Sequence, residues 1–307
     1  SDYVFTNATL QVLQEPSIPI TPSNSSKLIN YRNYIALLGG VAVTGIIICL
    51  YLFRHTLKSS KNATKLLDGR VVGIIPYEKK KRDKHLKKLK QSLLISSPIA
   101  SMNFVEANGR MSSRIEHHLN KYNYQVLLVT GISENEGKST VAANLALALA
   151  EESEKVLLID ADLRKPSQYK IFGLDQEEIQ QFGEVLNGNE QIDNLVTDLP
   201  KSELLLIAGS MIYPNSTEMI ASPIFQKIVE FFKTKLDYII IDTPPMSQAA
   251  DAEELVDLAD ASILVVRQHT ALVKDINETI STLNSAEGTM LGCVYNDVFH
   301  GVAQTAR

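Results

Sequence analysis

Val126-Leu-Leu-Val-Thr-Gly-Ile-Ser-Glu-Asn-Glu-Gly-Lys-Ser-Thr140 decides the fold. Its first five residues are apolar and of strand length. The next run is short, polar and glycine-bounded, and Ser139 then opens an amphipathic stretch to Ser153. Strand, loop and helix in that order place backbone N–H groups and a positive dipole end around one point, which suits a phosphate. Lys138 would bridge the terminal phosphates of a nucleotide, and the Ser139 hydroxyl would ligate Mg²⁺. The usual spacing puts a glycine at position 132. Here that residue is Ile132, and Gly131 stands one place early.

Further apolar runs follow at 156–160, 204–208, 238–242, 262–266 and 291–295. Helical patterns lie between them at Ser139–Ser153, Ser216–Lys235, Asp251–Leu258 and Val273–Ala286. Continuous apolar strands alternating with helices predict a doubly wound, mostly parallel sheet with helices on both faces. Ligands of such sheets bind beyond the carboxyl ends of the strands. Two more motifs sit at those ends. Asp160-Ala-Asp162-Leu-Arg164 leaves a strand with two acids on one side, which suits Mg²⁺ and proton handling near a γ-phosphate. Tyr238-Ile-Ile-Ile-Asp242 ends in a second candidate Mg²⁺ acid, and Pro244 and Pro245 stop that strand. Three such motifs on one sheet predict ATP or another nucleoside triphosphate, with Mg²⁺, as cofactors and a P-loop NTPase α/β fold. Ser139, the paired acids Asp160 and Asp162, and Asp242 are the candidate Mg²⁺ ligands.

Working outward, Tyr34 to Phe53 is twenty residues without a charge, long enough as a helix to cross about 30 Å of hydrocarbon. Lys27 and Arg32 precede it, while Arg54, Lys58, Lys61, Lys65 and Arg70 follow. The positive-inside rule then puts the C-terminal side in the cytoplasm of a single-pass plasma-membrane protein. Residues 1–33 form an extracytoplasmic segment in which Pro16, Pro19 and Pro22 favour polyproline II. Residues 54–100 read as a basic juxtamembrane linker, and 101–307 as the P-loop domain. Charge is polarised along the chain: residues 54–125 carry sixteen Lys/Arg against five Asp/Glu, and residues 126–307 twelve against twenty-eight. The basic run 79–90 reads either as a solvated face or as a contact for anionic lipid headgroups. Acidity of the following domain and the lack of interleaved aromatics argue against nucleic acid. Two cysteines, Cys49 and Cys293, exclude a disulfide scaffold.

Together these motifs resemble the bacterial P-loop tyrosine kinases of capsule and exopolysaccharide synthesis. Asp160-x-Asp162-x-Arg164 is the most specific mark of the resemblance. Lys165-Pro166-Ser167, Ile171-Phe172-Gly173-Leu174, Ala208-Gly209 with Pro214-Asn215-Ser216-Thr217-Glu218, and Leu291-Gly292-Cys293-Val294-Tyr295-Asn296 extend it. The membrane helix with its upstream prolines resembles the second helix of polysaccharide chain-length determinants. The resemblance implies catalysis by Lys138, Asp160, Asp162 and Asp242, with Ser139, Asp160 and Asp242 as the Mg²⁺ ligands and Asp162 accepting or orienting the proton of an incoming tyrosine. It implies nucleotide contacts from Gly131, Ser133, Glu134, Asn135, Glu136, Gly137, Lys138, Ser139, Thr140 and Arg164, and from Asn296 at the adenine.

The implied partners are polysaccharide polymerisation and export proteins, the bilayer, and further copies of the chain in a ring. No tyrosine follows Tyr295, and Glu106, Arg110 and Arg114 are spaced by four, where the family's ring helix uses three. A nucleotide-dependent scaffold with little kinase activity is the alternative expectation. A partitioning ATPase would carry a lysine where Ser133 stands.

Overall fold

A computed structural model of the chain describes residues 25–53, 65–84, 86–151, 155–177, 179–188, 195–199, 202–247 and 255–299. The proline segment, the basic flank at 54–64, the start of the expected helix at 251 and the C-terminus past 299 lie outside the described residues. The chain divides into a unit ending at Arg54 and a second unit from His55 onward.

In the first unit α1 runs Ser25–Phe53. Its window Asn30–Cys49 is apolar and long enough to cross a membrane, and none of it is buried by protein. A soluble core helix would be covered, so α1 is a single candidate membrane anchor among the described residues.

The second unit is built on one eight-stranded sheet. The strands are β1 (Val71–Pro76), β2 (Val126–Gly131), β3 (Val156–Asp160), β4 (Thr197–Asp198), β5 (Leu205–Ile207), β6 (Tyr238–Asp242), β7 (Ala261–Arg267) and β8 (Thr289–Val298). Their spatial order is β1-β8-β7-β2-β6-β3-β5-β4. Every pairing is parallel except β4 with β5. Side-chain alternation along β2 sorts the core into two layers. Val126 and Leu128 face a layer with α7 (Pro223–Lys233; Phe225, Ile228, Phe232) and α8 (Val273–Ser285; Ile276, Ile280, Leu283). Leu127 and Val129 face the other, with α2 (Met102–Tyr122; Met111, Ile115, Leu119) and α3 (Lys138–Glu151; Val141, Leu145, Leu149). The expected doubly wound architecture is present.

Two expectations change. The stretch read as a linker supplies an edge strand. β1 pairs with β8, and its Val72 and Ile75 enter the core beneath α2. A 3-10 turn at Leu89–Leu93 also docks on the domain. Asn144 of α3 clamps it by accepting from Ile95 N and donating to Leu93 O, both at 2.9 Å. After α5 (Phe182–Leu186), the expected helix 216–235 is two helices, α6 (Ser216–Ile220) and α7. Ser222 caps α7 and Pro223 occupies its first turn, where a missing N–H is tolerated. On α2, Glu106 and Arg110 pair at 3.3 Å, while Arg114 donates back to Val72 O of β1.

Gly292 fixes the β1–β8 register. Its φ is +143°, and an added Cβ would lie 2.2 Å from Arg70 O, the acceptor of the Cys293 N–H. Gly292→Ala is therefore expected to destabilise the chain by about 2–4 kcal/mol. Thermal unfolding of the full chain in detergent reads this as a clear fall in midpoint. An unchanged midpoint would mean that β1 is not held there.

Candidate nucleotide site

Three strand ends meet the N-terminus of α3. β2 runs into the loop 131–137, and the helix begins at Lys138. Residues from the loop and helix start, from the turn after β3 and from the turn after β6 surround a cavity of about 230 Å³. Lining it are Glu134, Asn135, Gly137, Lys138, Ser139 and Thr140 of the first motif, and Asp162 and Arg164 of the second. Pro244 and Pro245 after β6 line it too, as do Lys90, Lys165, Pro166, Ser167 and Lys170.

Close packing shapes the loop. A Cβ on Gly131 would lie 2.7 Å from Glu136 Oε2 and 2.8 Å from Lys138 Cδ, so the early glycine makes room for both side chains. Gly137 has φ +89°, and a Cβ there would collide with Asn296 Nδ2. Asn135 adopts a left-handed conformation (φ 61°), which asparagine tolerates, and its carbonyl accepts from Arg267 at 3.3 Å.

Glu136 does not face the cavity. Its buried Oε2 accepts from Ile132 N at 2.7 Å and Ser133 N at 3.0 Å, so it closes the loop from within and takes up the Ser133 amide. Burial raises its pKa against those two donors. Asn296 likewise braces the loop, donating from Nδ2 to Glu136 O at 2.9 Å, and does not line the cavity. Arg164 is tied to Ser216 Oγ at 3.0 Å and Thr217 Oγ1 at 3.1 Å.

Behind the cavity floor lie two acids. Asp160 and Asp242 are register partners at the ends of β3 and β6, and both are fully buried. α4 (Gln168–Phe172) begins beside them. Asp160 Oδ2 accepts from Ser167 N and Gln168 N, both at 2.9 Å. Gln168 Nε2 donates to Asp242 Oδ2 at 2.8 Å and to Ser139 O at 3.0 Å. The Oδ1 atoms of both acids are buried with no hydrogen-bond partner among the described residues. Two carboxylates with unsatisfied oxygens, beside the Ser139 hydroxyl, form an oxygen donor set suited to a hard divalent cation. Asp162, nearer the cavity, accepts from Lys165 N at 3.0 Å.

Burial dominates the protonation of all three acids. Asp160 is pushed well up by burial and then by the Asp242 charge. Asp162 is raised by burial against the pull of Lys138. Asp242 is raised to about 6 by burial, with Lys138 and the Ser139 hydroxyl opposing. Gln168 and Lys90 escaped the sequence reading. Gln168 follows the second motif without a pattern of its own, and Lys90 was one lysine within a basic run.

The family described as "ParA: NUBPL iron-transfer P-loop NTPase" matches residues 125–305. The chain is 26% identical over 286 residues to "Tyrosine-protein kinase ptk" of Acinetobacter johnsonii, covering 92% of this chain but only 38% of that protein. It is 33% identical over 172 residues to "Tyrosine-protein kinase CpsD" of Streptococcus pneumoniae serotype 4, covering 56% of this chain and 75% of that protein. The solved kinase domain of the Escherichia coli tyrosine kinase ETK shares the fold, with a TM-score of 0.68 at 24% identity over 77% of this chain and 92% of that one.

An unfolded aspartate titrates near 4, whereas folded Asp242 titrates at about 6. Between those values the folded chain keeps a proton that the unfolded chain has released. Stability therefore falls as pH rises through that window, and the cost is complete above it. Without metal or nucleotide, the unfolding midpoint should rise as pH is lowered from about 7.5 to about 5. Asp242→Asn should raise the midpoint at the upper pH and reduce the slope. A flat wild-type profile would contradict this.

Proposed function

The chain belongs to the ParA-type P-loop NTPases and, within them, to the bacterial tyrosine-protein kinases, and on that premise we propose that it is a membrane-anchored, ATP-dependent autokinase governing capsular or exopolysaccharide polymerisation and export. One observation carries the reading: Lys138, Ser139 and Asp162 line a single cavity, and behind its floor lie Asp160 and Asp242, each with a buried, unpartnered Oδ1. In this reading Lys138 and the amides of the loop from Glu134 to Thr140 hold the ATP phosphates. Ser139, Asp160 and Asp242 would hold Mg²⁺, which when bound neutralises charge on the β- and γ-phosphate oxygens.

The acceptor is a tyrosine hydroxyl. Its oxygen attacks the γ-phosphorus, the bond from that phosphorus to the β–γ bridging oxygen breaks, and ADP leaves. The hydroxyl proton passes to Asp162. Burial raises the basicity of that carboxylate, which lines the cavity, and the Lys165 amide holds its Oδ1. Glu136 and Asn296 act on the loop's shape, not on the phosphates.

The proposed organisation places α1 across the plasma membrane and the sheet domain in the cytoplasm. That domain starts before β1, not at residue 101, because Val72 and Ile75 are core residues. Proposed partners are further copies of the chain and the polysaccharide polymerase and export proteins.

The full chain, incubated with Mg·ATP and a tyrosine-rich acceptor peptide, should yield phosphotyrosine. Lys138→Met and Asp162→Ala should each lower the rate by about 10²-fold or more. Asp162→Ala should still bind ATP. Tight, Lys138-dependent ATP binding without phosphotyrosine on any acceptor would overturn the kinase reading and leave the nucleotide-dependent scaffold.

A further inference from the structure

Five cationic side chains line the cavity: Lys90, Lys138, Arg164, Lys165 and Lys170. Three are engaged. Lys165 pairs with Glu134 at 2.5 Å. Arg164 is held by Ser216 and Thr217. Lys170 lies over the Tyr169 ring, 5.0 Å from its centroid. Lys138 belongs to the loop motif itself. Lys90 is left. It makes no hydrogen bond or ion pair among the described residues, yet it is partly buried and faces the same cavity as Lys138 and Asp162.

Its backbone is fixed to the elements that build the site. Gln91 Nε2 donates to Phe172 O, the end of α4, at 3.1 Å, and its Oε1 accepts from Lys88 N at 2.8 Å. Asn144 ties Leu93 and Ile95 to α3. Lys90 is thus carried by the same two helices that present Lys138 and hold Asp160. Electrostatics agree with the geometry. Burial and the charges of Lys80 and Lys170 disfavour the ammonium, and Asp242 and Asp160 act the other way. A cation desolvated without a direct partner gains most from an added anion.

We propose that Lys90, carried by the 3-10 turn at Leu89–Leu93, is a nucleotide-binding residue that recognises the terminal phosphate of ATP and so sets the preference for ATP over ADP. This rests on reading the cavity as the nucleotide site and adds a contact from outside the three motifs. It makes nucleotide selection depend on the 3-10 turn at Leu89–Leu93 being docked. The lipid-headgroup reading of the basic run does not extend to this residue, because its side chain lines the cavity. Lys84, exposed in the same run, has no such position and serves as the control.

Calorimetric titration of Mg·ATP and Mg·ADP into the full chain in detergent tests this. Lys90→Met should weaken ATP about tenfold, the scale of one lost charge-assisted hydrogen bond, and ADP by less than about twofold. Lys90→Arg should keep ATP within about threefold, and Lys84→Met should change neither nucleotide. An unchanged unfolding midpoint of the nucleotide-free variants separates binding from folding. Equal losses for both nucleotides, or no loss, would overturn the proposal. Its failure is distinct from failure of the kinase reading. Phosphotyrosine formation with an unaltered ATP-over-ADP preference in Lys90→Met would sink only this inference. A selective ATP loss in a chain that phosphorylates nothing would sink only the kinase.

Discussion

Two carboxylates that share a dry place at neighbouring strand ends constrain everything around them. Asp160 and Asp242 face each other in register, each with one oxygen satisfied and one not. Such a pair opposes folding, and the apolar layers on either side of β2, β3 and β6 offset it. The fold spends local order to keep the pair in place. The first amides of α4 are committed to Asp160, and the Gln168 side chain spans from Asp242 to the carbonyl of Ser139. That bridge fixes the start of α3 relative to the acids, so the phosphate loop and the acid pair form one rigid unit. Removing the Gln168 amide would take a donor from both Asp242 Oδ2 and the Ser139 carbonyl.

The loop is shaped from the opposite side of the sheet order. Asn296 at the end of β8 holds the Glu136 carbonyl, and Arg267 at the end of β7 holds that of Asn135. Arg267 also pairs with Asp297 at 2.8 Å. β8 is in turn paired with β1, whose chain leads back toward α1. The segment between α1 and α2 therefore reaches the site twice. One route is through β1 and β8 to the back of the loop. The other is through the turn at Leu89–Leu93 to its mouth. Both contacts are packing and hydrogen bonding, and both require the segment to be folded onto the domain.

Much of this was legible in the residues. Central strands buried on both faces must be continuously apolar, so VLLVT, VLLID and YIIID announced themselves, and the acids that end them marked the site. β1 did not, because VVGIIP is a short edge strand that contains a glycine, ends in proline and abuts a lysine run. Its membership depends on partners more than two hundred residues away. Ser222-Pro223 marks the break between α6 and α7, but the apolar spacing on both sides of it reads as one helix. Glu136 and Asn296 illustrate a deeper limit. A polar residue in a binding loop can face the ligand or tie the loop, and only the Ile132 and Ser133 amides and the Glu136 carbonyl show that these two tie it. Lys90 was hidden by its neighbours, since a run of lysines gives no sign of which one points inward.

The central claim is that the buried acid pair, together with Ser139, is built for a divalent cation that accompanies the nucleotide. Its most direct test is calorimetric titration of ATP into the full chain with Mg²⁺ and with a chelator, repeated on Asp242→Asn. The account predicts ATP binding at least about tenfold tighter with Mg²⁺, with that difference largely lost in the variant. Equal affinities with and without Mg²⁺ in the wild-type chain would contradict it.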